Sequence, residues 1–264
     1  MTQVIGSVGR SALQGVSAFL SVCVLIADTA HWLTLAPMRG KGLRMRSALK
    51  QFVDYGVNSL SIVGLICFLI GAIMALQGSY QLEKFGATYL VASLVGVAAM
   101  RELAPLMTAI LITGRSGSAI AAEIGTMKVS EEIDALEVMG LNVTKFLVVP
   151  KFLGMLFAVP MVTVLSMLIM MMGGFTLAVF VLGMDARAYI ETTANSLLMK
   201  DLVTGLTKSV FFAIVICWVG VYRGMQVEGG AEGVGKQTTS SVVTSIFLII
   251  GVDMVFTLLF YYAT

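Results

Sequence analysis

From Phe152 to Met184 the chain runs without a charged side chain. As a helix that run would reach about 50 Å at about 1.5 Å per residue, against about 30 Å for the hydrocarbon of a bilayer. It is too long for one crossing and too short for two plus a loop, so one span with an extension is expected. Comparable apolar stretches lie at roughly 56 to 77, 88 to 114, 203 to 222 and 241 to 262, with 152 to 174 as the third of five spans. A chain of 264 residues cannot enclose five such runs in a core of its own. Its composition is 58% apolar and 12% charged, where soluble domains carry about 25% charged residues. These are the marks of an integral membrane protein. Backbone in lipid must satisfy its own hydrogen bonds, which leaves helices or a closed barrel. The Leu, Ile, Met and Val runs do not alternate as barrel strands do, so the fold class is all-α.

The segment 11 to 35 is apolar but short between Arg10 and Asp28, and ends in His31 and Trp32, residues suited to a water interface. It is expected to form an interfacial or re-entrant elbow helix ahead of the five transmembrane helices, with a sixth full span as the alternative, and not a cleaved signal peptide. The following loop holds Arg39, Lys41, Arg44, Arg46 and Lys50 and no acid, which places it in the cytoplasm. Alternation then puts 123 to 151 and 223 to 240 inside, and Glu83–Lys84, 184 to 202 and the C-terminus outside. Gly173-Gly174 is the expected break in the third span, and 185 to 200 the expected surface helix after it.

Arg101 and Glu102 stand in the second span, three residues ahead of Pro105. A charge at the centre of a span costs about 2.5 to 3.5 kcal/mol and usually faces a bundle interior or a wet cavity. Neighbouring helical residues point about 100° apart, so the two cannot neutralise each other. Pro105 lacks an N–H and deprives the Arg101 carbonyl of its helical partner, which favours a kink. The pair suits a polar head group on a lipidic ligand. The plainer reading is that each pairs with another helix or lies near the outer interface. No second carboxylate at that depth is expected, and hence no catalytic dyad.

Beyond this, Gly114, Gly117, Ser118, Ala121 and Ala122 repeat small residues at a spacing that lets helices approach. Ser130 reads as the N-cap of a short helix with Glu131, Glu132 and Asp134 in its first turn and Gly140 as its stop. Ile133, Leu136 and Val138 would form an apolar patch beside the acids. Such a helix fits either docking into a partner or a solvated surface. "GAEGVGKQTT" at Gly230 approximates a phosphate-binding loop, but Gln237 replaces the required hydroxyl and no α/β domain completes it. Cys23, Cys67 and Cys217 are isolated, and a single histidine leaves no metal or Ser/His chemistry indicated.

Residues 101 to 142, "RELAPLMTAILITGRSGSAIAAEIGTMKVSEEIDALEVMGLN", resemble the signature region of the MlaE/YrbE family of ABC-transporter permeases. "LQG" at 76 to 78, "VPKFLG" at 149 to 154 and "GAEGVGKQTTSSVV" at 230 to 243 match it too, so the similarity covers nearly the whole chain. The resemblance implies one permease domain over 1 to 264, with an elbow region at 1 to 50 and a bundle at 51 to 264. It implies a multi-pass inner-membrane homodimer with a cytoplasmic ABC ATPase, which would bind the ATP and Mg, and a periplasmic MCE-domain protein. It leaves room for a small cytoplasmic accessory subunit, and neither a cofactor of the chain's own nor nucleic acid is called for. Arg101, Glu102, Phe85 and Leu103 would meet the phospholipid at the dimer axis. Glu123, Glu131, Glu132, Asp134, Leu136 and Glu137 would couple a cytoplasmic helix between spans 2 and 3 to the ATPase, and the segment between spans 3 and 4 and the C-terminus would be periplasmic.

The expected function is therefore lipid transport driven by ATP hydrolysis in a partner, the subunit itself being no enzyme. The alternative is an ion-coupled secondary transporter using Glu102 as its intramembrane site. That reading would favour further intramembrane carboxylates and paired repeats, and beyond Asp253 the sequence offers neither.

Overall fold

Five helices carry the architecture: α1 (Met45–Glu83), α2 (Thr88–Val129), α4 (Thr144–Phe180), α6 (Met199–Met225) and α7 (Gly230–Tyr262). Each is long and apolar enough to cross a membrane. Two short helices complete the chain order, α3 (Glu132–Val138) between α2 and α4 and α5 (Ala186–Ser196) between α4 and α6. The computed structural model describes residues 27–29, 31–33 and 44–262, and no strand occurs among them. The expected elbow helix at 11 to 35 falls outside the described residues, except for 27–29 and 31–33, which are helical.

The bundle's tightest crossing joins α1 to α4. A Cβ built on Gly71 would sit 1.9 Å from the Met170 carbonyl oxygen, and one on Gly173 would sit 2.0 Å from that of Phe68. Only glycine permits these backbones to touch, the usual device where lipid supplies no hydrophobic drive for helices to associate. This corrects the expected break at Gly173-Gly174: α4 passes through both residues and ends only at Phe180. The glycines are spent on packing, and the helix continues unbroken through them.

α5 begins where Asp185 accepts the Ala188 N–H at 2.8 Å, an N-cap that satisfies a donor the helix itself cannot. It leans on the start of α2 and the end of α4, with Tyr189 buried at 3% exposure and edge-on to Phe175. α2 and α6 meet along the small-residue stripe: a Cβ on Gly117 would touch Ile216 and one on Gly220 would approach the Gly117 carbonyl oxygen, while Gly114 faces open space. At the same end of the bundle, the buried Lys151 of α4 reaches Glu123 of α2 at 2.5 Å.

α7 differs from the other four long helices. In its most apolar window 17% of residues are buried, against 39% to 50% elsewhere. Phe247, Met254, Val255, Leu258 and Leu259 lie exposed along it.

Candidate functional site

The second helix changes its winding at the charged pair. Residues Ala99–Leu103 form a π-helical turn in which the Ala104 N–H bonds the Ala99 carbonyl, five residues back. Pro105 then sits in the first turn of the renewed α-helix, where its missing N–H costs least. The wide turn accommodates the proline. The Met100 carbonyl points at α6, where a Cβ on Gly205 would come within 2.2 Å of its oxygen.

Arg101 and Glu102 diverge from this turn to separate partners. The Arg101 Nε lies 3.3 Å from Asp201 Oδ1, and Asp201 is fixed by accepting the Leu198 N–H at 3.0 Å at the start of α6. Glu102 takes a short ion pair from the Lys208 ammonium and accepts a hydrogen bond from the Thr257 hydroxyl at 2.9 Å. Lys208 also reaches Asp253 Oδ1 at 2.9 Å and donates to Thr257 at 2.8 Å. Lys208, Asp201 and Asp253 have side chains 1%, 4% and 11% exposed, whereas Arg101 and Glu102 are 37% and 36% exposed. Three buried charges thus brace two that face outward.

The outward pair borders two adjoining hollows. One, of about 230 Å³, is lined by Arg101, Glu102, Thr204, Lys208, Thr257, Phe260 and Tyr261. The other, of about 510 Å³, is walled by Leu82, Leu90, Leu94, Val97 and Ala98, with Arg101 at its edge. Arg101 is the shared side chain. A polar basin opening onto an apolar groove presents charge and hydrocarbon surface to one amphipathic ligand.

One expectation needs correction: a second carboxylate is not absent, since Asp201, in the first turn of α6, and Asp253 both enter the cluster. Leu103 packs against the main core, and Phe85, 81% exposed in the turn after α1, lines neither hollow.

Residues 48–259 match the family described as Permease MlaE. The chain belongs to the MlaE permease family. The resemblance carried by residues 101 to 142 is thereby borne out, and the protein is a multi-pass transporter permease. Relatives of this MlaE permease include a probable ABC transporter permease of Rickettsia typhi, 35% identical over 76% of this chain and 78% of its own. Another is the intermembrane phospholipid transport system permease protein MlaE of Haemophilus influenzae, 33% identical over 79% of this chain and 80% of its own. A third is the chloroplastic protein TRIGALACTOSYLDIACYLGLYCEROL 1 of Arabidopsis thaliana, 31% identical over 88% of this chain and 66% of its own.

The opposite end of this MlaE permease holds α3. Glu131, Glu132, Asp134 and Glu137 are exposed around it, and Leu136 is buried with Ile133 against the core. The expected apolar patch is corrected: Val138 is 90% exposed and Met139 64%, on the side away from Ile133. Ser130 is not the N-cap either. Its hydroxyl donates to Thr126 O at 2.9 Å and closes α2, while Glu131, at φ 58, turns the chain into α3. Gly140, at φ 72, stops α3 as expected. Glu123 is exposed as well, with its side chain half exposed, and differs from this set in pairing with Lys151.

Sequence reasoning missed Asp201, Lys208 and Thr257, and weighed Asp253 only against the ion-coupled alternative. Lys208 and Asp253 each interrupt an apolar span, the same signal that drew attention to Arg101. Asp201 lies at a helix start, where an acid is ordinary and carries no such signal.

Proposed function

We propose that this chain is the permease of an ATP-driven phospholipid transporter of the inner membrane. Two copies enclose the basin at Arg101 and Glu102, and hydrolysis in a cytoplasmic ATPase alternately opens and closes it. The observation that carries this reading is Arg101, which edges both the polar basin and the apolar groove. A guanidinium matches a phosphate ester in a planar, two-pronged geometry, and the groove suits acyl chains. The phospholipid transport named for the Haemophilus influenzae relative agrees with it. The sparsely buried α7 would meet the second copy, closing a basin now walled on one side by Phe260 and Tyr261. α3, with its acids exposed and Ile133 and Leu136 as anchors, would receive the ATPase at the cytoplasmic end. An MCE-domain protein would take the lipid at the periplasmic end.

A secondary transporter has one observation in its favour, the Glu102–Lys208–Asp253 network, whose two carboxylates share one ammonium. The two readings part in reconstituted vesicles. Lipid movement that needs the ATPase and ATP supports the first; movement by the chain alone under a proton gradient supports the second.

The site assignment is tested by native mass spectrometry of the complex. Arg101→Ala or Glu102→Ala is expected to lower retained phospholipid about tenfold, the loss of a charge-assisted contact, with subunit composition unchanged. Full lipid occupancy in both variants would assign the pair to structure alone.

A further inference from the structure

The basic start of α1 is left unused by this reading. Arg44, Arg46 and Lys50 are all exposed there and, with Met45 and Ser47, line a depression of about 820 Å³. The ion pairs among the described residues employ Arg101, Lys151, Arg187 and Lys208, and none of these three cations. The sequence from 36 to 50 adds Arg39 and Lys41 and contains no acid. Asp54, the nearest acid along α1, has its carboxylate engaged by the Asn58 amide. Arg44 is held by stacking over the Phe146 ring, 3.9 Å from its centroid. The positive charge is concentrated and enters no ion pair among the described residues.

Directly beside it runs an apolar groove of about 420 Å³ between α1 and α4, lined by Met45, Ala48, Leu49, Phe52, Leu153 and Phe157. Met45 belongs to both. Below the cations, Met45, Leu49, Val53 and Val57 remain exposed at four-residue spacing down α1, and Phe157 and Met161 do so down α4. The groove therefore opens along the axis of the spans, the direction an acyl chain takes, with the cations at its head.

We propose that α1 and α4 hold an anionic phospholipid of the surrounding membrane here, its phosphate on Arg44, Arg46 and Lys50 and a chain in the groove. Basic pockets at the ends of transmembrane helices favour anionic head groups, each cation near the surface adding to the attraction. The site is distinct from the Arg101 basin, which lies at the other end of the bundle, where α6 begins and α7 ends. It requires only that the chain span a membrane, and stands whether or not the transport reading does.

The test uses the full chain, purified and stripped of lipid, titrated in native mass spectrometry with phosphatidylglycerol or phosphatidylcholine of equal chain length. The wild type is expected to prefer phosphatidylglycerol by at least about tenfold. Arg46→Gln with Lys50→Gln removes that preference, and Arg187→Gln, which removes an exposed cation of α5 outside both sites, keeps it. A preference that survives the double variant, or vanishes in Arg187→Gln alone, overturns the proposal by placing the lipid elsewhere. A second measurement locates the lipid: in Phe157→Trp, brominated phosphatidylglycerol is expected to quench the added fluorescence more than brominated phosphatidylcholine does. Equal quenching by both, with no preference in the wild type, overturns the site as one for anionic lipid and leaves a groove that any bilayer lipid fills.

Discussion

Lys208 is 1% exposed and serves two carboxylates and a hydroxyl. Removing it leaves Asp253, 11% exposed, without its counter-charge, and breaking a buried ion pair typically costs about 3–5 kcal/mol. Lys208→Met is thus expected to lower the unfolding free energy by about that amount, far more than Arg101→Ala, whose partner Asp201 keeps the Leu198 N–H. Thermal unfolding of the two variants in detergent checks the order, and equal melting temperatures would show that the cluster does not brace the fold. Arg101 and Glu102 were legible in the sequence because charge in an apolar run is costly. Their partners were not, since Glu102 and Lys208 are 106 residues apart and nothing local states which spans are neighbours.

At the scale of the element, helix existence was written plainly in apolar length, and helix ends were not. Gly173-Gly174 reads as a break to anyone weighing propensity, yet tertiary contact with Phe68 turns it into a crossing point. Ser130 shows the same ambiguity, because a hydroxyl caps a following helix or closes a preceding one with equal ease. α5 was expected at about its observed place, and its docking carries a pH dependence. Burial pushes the Tyr189 phenol from 10.0 up to about 12. The folded state holds the proton longer than the unfolded one, so the docking is fully present below about pH 10 and is lost as pH rises through about 12. A tyrosinate absorbance titration is expected to show one group ionising near pH 12 that disappears in Tyr189→Phe. Absence of any group ionising near pH 12 in the unsubstituted protein would mean that α5 does not shield it.

For the whole molecule, the spans were legible as a set and their arrangement was not, because every span is apolar on all sides and lacks a stripe to say which face turns inward. The exposed line on α7 gives the arrangement its testable consequence. Met254→Cys or Leu258→Cys, in a Cys23→Ser background with Cys67 and Cys217 buried, is expected to join two copies when oxidised in native membranes. Failure of both to cross-link, together with a single copy in native mass spectrometry, would remove the shared cavity.

The length of α2 has a mechanical meaning. From Thr88 to Val129 it is one continuous helix, which carries Arg101 and Glu102 and ends two residues short of α3. In the proposed transport cycle it would act as a connecting rod. Along it the winding loosens only at Ala99–Leu103 and Thr113–Gly117, so a push on α3 would be transmitted as thrust or rotation until it met one of those two turns. The turn farther from α3 holds the charged pair itself, so the play in the rod would fall on the side chains that face the basin.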